Sequence, residues 1–358
     1  MRTSFVLPTH GIKPIGGYKV VYEYASHLAR RGHKVSVVHP QIPFPDMPLR
    51  VRARGVLAYV TRKLNGSYGP ESWFQVDPAV RLLWVWSLEE RHIPDADVIV
   101  STCWETAEIV ARYSTAKGRG YNLIQHWETW SGPEERVRAS WKLPLRKIVI
   151  ASWLRDIAEE LGESCVLIPN GLDFSRFNKD IPPIQRNRAQ VMMLYHSYNW
   201  KGSADGLAAL SAVKREIPDL QVVLFGTPEK PDSLPDWITY HRKPEQRKLR
   251  ELYNQAAIFV APSWTEGWPL PPAEAMMCGT ALAATDIGGH REYAIHEQTA
   301  LLSPPKNPAA LAGNILRLIR DDALRMGIAE RGNAYIRQFT WDKAADLFEA
   351  ALRDDRAG

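Results

Sequence analysis

Short apolar runs alternate along the chain with longer stretches in which apolar residues recur every three or four positions. In the first half, the runs at 4–9 (SFVLPT), 34–40 (KVSVVHP), 96–102 (ADVIVST), 122–127 (NLIQHW) and 147–152 (KIVIAS) predict buried strands. Amphipathic stretches at Gly17–Arg31 and Trp104–Tyr113 predict helices between them. In the second half, the runs at 190–197, 221–227, 256–263 and 280–286 predict strands, with helices at Gly202–Glu216, Pro244–Gln255 and Pro272–Cys278. A last amphipathic stretch runs over Thr340–Arg353. Strand–helix alternation of this kind predicts parallel sheets with right-handed crossovers. Each half has its own set, so the expected fold is α/β, two doubly wound Rossmann-like domains facing each other across a cleft. The boundary is expected within 166–183, where three prolines and an Asn-Gly turn interrupt the periodicity. The expected division is 1–170, 171–339 and a C-terminal helical tail, 340–358, with packing back on the first domain as one option. The proline-rich stretch Gln41–Pro78 carries no clear period.

The 358 residues are enough for two cores. No run of about 18 apolar residues occurs, so no membrane span is expected. The first apolar run is too short for a signal peptide and lacks a small-residue cleavage site. Three scattered cysteines (Cys103, Cys165, Cys278) form neither a disulfide framework nor a zinc spacing. Together these favour a cytoplasmic protein with structural thiols. A net charge of +5 admits nucleic acid, an anionic membrane or a phosphorylated small molecule as partner. The segment Arg50–Leu64 has five basic residues and no acid. It reads either as a solvated basic element or as a dock for anionic lipid at the inner face of a membrane, or for a charged acceptor.

The densest chemistry lies at 263–279, SWTEGWPLPPAEAMMCG. A strand ends, a loop follows, and Pro271 and Pro272 fit the first turn of a helix that Gly279 would close. A loop running from a strand's carboxyl end into a helix N-terminus is where open α/β sheets bind ligands, and the free N–H groups there favour a diphosphate. Glu266 falls in the loop and Glu274 in the expected first turn. Both could accept hydrogen bonds from sugar hydroxyls; a first-turn glutamate also serves the helix dipole with no ligand at all. Lys201-Gly202 follows the first strand of this half, a place suited to a phosphate partner and equally to a solvated lysine. A second glycine-rich strand end, DIGGHREY, spans 286–293.

With these residues in place, the second half resembles the donor domain of glycosyltransferase family 4, which has the GT-B fold. The family pattern E-G-x-x-L-P-x-x-E-A-M-x-x-G is matched by Glu266, Gly267, Leu270, Pro271, Glu274, Ala275, Met276 and Gly279. T-D-x-G-G-x-x-E is matched by Thr285, Asp286, Gly288, Gly289 and Glu292, and K-G by Lys201 and Gly202. The resemblance implies that Glu266 contacts the donor sugar and Glu274 the ribose. It implies that the backbone of Gly267, Trp268, Pro269 and Leu270 holds diphosphate and sugar, and that Lys201 neutralises the leaving group. Two departures stand out. The arginine usual shortly before the lysine is missing from Tyr195–Trp200, and the usual loop glycine is Pro269.

In the first half, Gly16-Gly17 precede a helix; glycines there permit positive φ and close backbone approach, and they match the family's loop beside the donor phosphate. His126 ends a predicted strand beside Trp127, Glu128 and Trp130; it reads as a core histidine or, by the resemblance, as a group lining the reacting sugar. Trp104 and Glu105, with Trp127, resemble the acceptor side. Asn170 belongs to the family's P-N-G signature, with a plain turn as the other reading. Of the thirteen tryptophans, Trp104, Trp127, Trp130 and Trp141 could stack on a sugar or an apolar acceptor, or simply fill the cores.

The resulting expectation is a retaining, metal-independent hexosyltransferase. It would use a nucleoside diphosphate sugar, UDP first, and an acceptor hydroxyl on a glycan, lipid-linked sugar or small molecule. No protein nucleophile is evident; His126, Lys201 and Glu266 are the catalytic candidates. No cofactor or metal ligand set is expected. A GT-B sugar-nucleotide 2-epimerase is the nearer alternative. A non-enzymatic nucleic-acid or lipid binder is the remoter one, since no nucleic-acid motif occurs.

Overall fold

The computed structural model describes residues 1–42 and 49–354, the backbone alone at 49 and 51–54. It divides into two compact units, Met1–Gly171 with Trp341–Gly358, and Leu172–Thr340.

In the first unit seven parallel strands form one sheet: β1 (Arg2–Val6), β2 (Lys34–Ile42), β3 (Arg81–Ser87), β4 (Val98–Ser101), β5 (Arg119–Ile124), β6 (Arg146–Val149) and β7 (Cys165–Leu167). Their order is β3-β2-β1-β4-β5-β6-β7. In the second unit six parallel strands follow: β8 (Gln190–Leu194), β9 (Gln221–Gly226), β10 (Ile238–Arg242), β11 (Ile258–Ala261), β12 (Ala281–Thr285) and β13 (Ala300–Ser303), ordered β10-β9-β8-β11-β12-β13. Both are doubly wound sheets. The order reverses beside the first strand of each, between β1 and β4 and between β8 and β11. Loops leaving those strands open a crevice at their carboxyl ends.

Helices of the first unit are α1 (Gly16–Arg30), α2 (Leu49–Asn65), α3 (Trp104–Val110), α4 (Glu134–Trp141) and α5 (Ser152–Glu160). The second unit contributes α6 (Ser203–Glu216), α7 (Gln246–Gln255), α8 (Leu270–Met277), α9 (Gly288–Arg291), α10 (Pro308–Arg320) and α11 (Asp322–Ile336), and the chain ends with α12 (Trp341–Arg353). The second unit's core gathers Val191, Met193, Leu224, Ile258, Val260, Leu301, Ile315 and Ile328, all fully buried or nearly so.

The apolar runs overshoot the strands: 190–197 yields a strand at Gln190–Leu194, and 4–9 one at Arg2–Val6. Apolarity reports burial, and the first loop residues stay buried after ladder pairing has stopped; Leu7 is fully buried beyond β1. Within Gln41–Pro78 lies α2, and residues 43–48 lie outside the described ones.

The tail helix α12 belongs to the first unit. Phe348 stacks on Tyr24 at 4.2 Å between ring centroids. Glu349 receives Arg31 at 3.0 Å and contacts His33 at 2.9 Å. Tyr121 donates to the Ala351 carbonyl at 2.9 Å, and Arg119 to that of Leu352 at 2.8 Å. Gly171 makes this return possible without adopting positive φ: a β-carbon there would stand 2.5 Å from Trp341 Cα.

Candidate functional site

The second unit assembles its polar residues at the β8/β11 reversal. Lys201 closes a 3-10 turn, Asn199–Lys201, that follows β8. Gly202 has φ +65°, and a β-carbon there would run into the Pro262 carbonyl, so only glycine lets the turn lie against the end of β11. The Trp264 N–H donates to the Trp200 carbonyl at 2.7 Å and ties the two loops together. Lys201 Nζ then donates to both oxygens of Glu266, at 2.8 and 2.9 Å, while Ser263 Oγ donates to Oε1 at 2.9 Å. Burial alone would raise the Glu266 carboxyl; the Lys201 ammonium and Ser263 outweigh it and hold the group below its ordinary value. Lysine and glutamate thus form a charge pair at the switch point, with the lysine less covered than the glutamate.

Helix α8 begins at Leu270, so Pro271 and Pro272 do occupy its first turn, where a missing N–H costs nothing. Glu274 does not: it lies in the second turn and is buried, accepting from Tyr253 Oη at 3.3 Å. Its depth removes the plain dipole reading, because a carboxylate serving only the dipole has no need to be enclosed. Gly279, at φ +77°, closes the helix as expected, with Thr280 N–H reaching back to the Ala275 carbonyl at 3.1 Å. Two residues with no motif signal satisfy the remaining carbonyls. Asn333 Nδ2 donates to Met276 and Met277 at 2.9 and 2.7 Å. Arg186 donates to Cys278 and, at 2.9 Å, to Ala256. Burial pushes the Arg186 guanidinium down to about 10.

Trp268 and Pro269 lie beneath the loop. Trp268 is 4% exposed, its ring against Tyr293 at 4.9 Å and Phe339 at 5.6 Å. The Pro269 carbonyl accepts from Tyr293 Oη at 2.7 Å. These two residues set the loop's shape, while buried Gly267 and half-buried Leu270 lead into the helix. After β12, Arg291 is paired in a bidentate fashion with Asp286, at 2.7 and 2.9 Å.

In the first unit the residues singled out by sequence lie in the segments that follow β1, β4, β5 and β7. Gly16 and Gly17 form the first turn of α1 and neither has positive φ, contrary to that expectation. The value of Gly17 is close approach: Gln125 Nε2 donates to its carbonyl at 3.2 Å, where a β-carbon would crowd the same amide. His126 Nδ1 lies 3.1 Å from the Trp127 carbonyl, and its ring meets the edges of Trp130 at 4.4 Å and Trp153 at 5.4 Å. Trp104 is buried, with Nε1 donating to Ser131 Oγ at 2.8 Å and Arg136 over its ring at 4.8 Å. Trp127 packs on Trp141 at 5.6 Å. Of the four tryptophans read as a possible stacking surface, Trp130 is the one left exposed. Glu128 takes the Trp104 backbone N–H at 2.8 Å, yet burial pushes its carboxyl up to about 8. Burial also raises Glu105. Asn170 is buried, with its Oδ1 lacking a hydrogen-bond partner.

A lysine–carboxylate pair at the switch point brings a cation and a hydrogen-bond acceptor to the place where open α/β sheets bind ligands. Residues 190–321 match the family described as glycosyl transferases group 1. The chain is 24% identical to the phosphatidyl-myo-inositol mannosyltransferase of Mycolicibacterium smegmatis, over 95% of this chain and 90% of that one. Its fold resembles sucrose-phosphate synthase from Thermosynechococcus elongatus, with TM-score 0.71, 18% identity and 98% of each chain covered. It also resembles Anabaena HepE solved with UDP-glucose, with TM-score 0.72, 16% identity, and 98% of this chain and 99% of that one covered. The protein is a glycosyltransferase acting on sugar donors. Within that class its fold is the GT-B fold, and its donor-loop motif is similar to that of family 4. The transferase names of these relatives do not favour the epimerase alternative.

Proposed function

We propose that this enzyme transfers a hexose from a nucleoside diphosphate sugar, UDP first, to an acceptor hydroxyl with retention of anomeric configuration. The observation that carries this reading is the Lys201–Glu266 pair at the β8/β11 switch point. In this reading Lys201 turns from Glu266 toward the leaving diphosphate, whose negative charge grows as the glycosidic bond breaks. Glu266, fixed by Ser263, accepts from sugar hydroxyls, and Glu274 accepts from the ribose. The backbone N–H groups of Gly267 and Leu270, at the positive end of α8, cradle phosphate oxygens, since Pro269, Pro271 and Pro272 carry none. No protein nucleophile is assigned. The leaving phosphate oxygen takes the acceptor's proton on the face from which it departs, and no metal is required. On the first unit, His126 orients the acceptor. Trp104, Glu105 and Trp127 shape the acceptor side.

The acceptor is assigned to a lipid-linked class. One relative's name specifies a phosphatidyl-inositol acceptor. Helix α2 exposes Val56, Leu57, Val60 and Leu64, spaced to share one face, on an acid-free segment that also exposes Arg50. The side chains of Arg52 and Arg54 lie outside the described ones. No helix among the described residues is long and apolar enough to cross a membrane, so contact with lipid would be peripheral.

The test is a thermal-shift panel of nucleoside diphosphate sugars, followed by product analysis by NMR. A ligand selective for the native state raises the melting temperature. Stabilisation by a sugar nucleotide that Glu274→Ala weakens, and a product with the donor's anomeric configuration, are expected. Normal donor use by Glu274→Ala would sink the site, and inversion would sink the mechanism.

A further inference from the structure

His290 sits in α9 and is 1% exposed. Its Nδ1 lies 2.8 Å from the Thr285 carbonyl oxygen. A carbonyl only accepts, so Nδ1 carries the proton and Nε2 presents a lone pair. That Nε2 is buried and has no hydrogen-bond partner. Leaving such a group buried and unpaired is unfavourable, a cost that a donated hydrogen bond removes. Burial disfavours protonation, which keeps the ring neutral and Nε2 an acceptor.

The surroundings are those of the donor site. A β-carbon on the adjacent Gly289 would stand 2.5 Å from the Glu266 carbonyl oxygen and 2.9 Å from that of Gly267. Thr285, which holds the ring, donates through Oγ1 to the Ser263 carbonyl, and Ser263 Oγ donates to Glu266. The charges of Glu266 and Lys201 both act on the imidazole, in opposite directions. His290, Thr285, Ser263, Glu266 and Lys201 therefore form one polar layer, and Nε2 is its unfilled acceptor.

We propose that His290 determines donor specificity, its Nε2 accepting a hydrogen bond from a hydroxyl of the donor's sugar. This rests on the donor-site reading above. Diphosphate oxygens are themselves acceptors and cannot fill this place. Glu274, assigned to the ribose, belongs to α8, whereas His290 packs beside the Glu266 loop.

The experiment compares UDP with UDP-glucose, and GDP with GDP-mannose, by titration calorimetry on wild type, His290→Ala and His290→Gln. With the pair that binds, the alanine variant should keep the affinity for the nucleoside diphosphate within about twofold. It should lose about tenfold for the sugar nucleotide, near 1.4 kcal/mol. Glutamine, which retains an acceptor, should recover part of the loss. A monodeoxy sugar nucleotide lacking the relevant hydroxyl should lose the same factor on wild type and nothing further on the variant. Should the alanine protein not fold, ¹⁵N-histidine NMR of wild type supplies the readout: the Nε2 resonance absent from His290→Gln should move with the sugar nucleotide and stay with the diphosphate. Equal losses for both ligands, no loss for either, or an Nε2 resonance indifferent to the sugar would overturn the proposal alone. Failure of every sugar nucleotide to bind would overturn the donor-site reading and this proposal with it.

Discussion

Gly289 packs so closely on Glu266 that a β-carbon would come within 2.5 Å of the glutamate's carbonyl oxygen. Backbone stands on backbone there, and no flexible side chain can yield. Gly289→Ala should therefore displace the 263–267 loop, weaken sugar-nucleotide affinity about tenfold or more and destabilise the second unit by about 1–3 kcal/mol. Calorimetric titration and urea unfolding check both. Gly313→Ala serves as the control, because a β-carbon there meets nothing within 4 Å; unaltered affinity in Gly289→Ala would show that the loop has room to spare.

Lys201→Met leaves the Glu266 carboxylate enclosed without its cation. Turnover should fall by about 10²–10³, the scale of a lost charge-stabilising group. Stability should fall by about 1–3 kcal/mol, less than for a fully enclosed pair because the lysine is about a quarter exposed. Adding Glu266→Gln should restore most of the stability and none of the turnover. Additive stability losses in that double-mutant cycle would show that the pair is not coupled.

Two carboxyls in the first unit predict pH dependences of opposite sign. Glu128 has a folded value near 8 against an ordinary 4.5, so the folded state holds a proton that the unfolded chain has released. Its contribution makes stability fall as pH rises from about 4.5 to 8, and Glu128→Gln should flatten that slope. Burial opposes ionisation of Glu349 as well, but His33 and Arg31 outweigh it and bring the group to about 2. That contribution is full above about 4.5 and disappears as pH falls toward 2. Thermal unfolding from pH 2 to 9 reads both windows, and Glu349→Gln should alter only the acidic one. A Glu128→Gln profile parallel to wild type above pH 5 would refute the first assignment.

The exposed face of α2 predicts binding to anionic vesicles. Leu57 and Leu64 are 75% and 83% exposed, so Leu57→Glu with Leu64→Glu should leave folding within about 0.5 kcal/mol of wild type. Sedimentation with phosphatidylglycerol vesicles should drop severalfold, while activity on a water-soluble acceptor stays. Equal sedimentation of both proteins would remove the membrane reading.

The central strands, the helices around them and the 263–279 motif were legible because each has a local cause. Central parallel strands are apolar on both faces, and prolines and Gly279 punctuate α8 directly. The strands outside the predicted runs are β3, β7, β10 and β13, all at sheet edges; β7 and β13 are short and β10 is largely polar, whereas β3, RLLWVWS, carries as strong an apolar run as the central strands. Glu266 and Lys201 stood out by motif, but sequence could not bring them together; residues 65 positions apart meet because β8 and β11 adjoin where the sheet reverses. Arg186, Asn333 and His290 had no pattern of their own. Their roles come from burial beside unsatisfied carbonyls or with an unsatisfied nitrogen, and burial is set by packing. By itself the sequence determined the class of fold, its two sets of strands and the chemical types at the donor loop. The tertiary structure decided that Glu274 lies in the second turn of α8 and is enclosed. It also decided that Gly17 serves close approach rather than positive φ, and that α12 returns to the first unit. Each of these depends on which distant backbone arrives alongside, and that is fixed by packing rather than by local sequence.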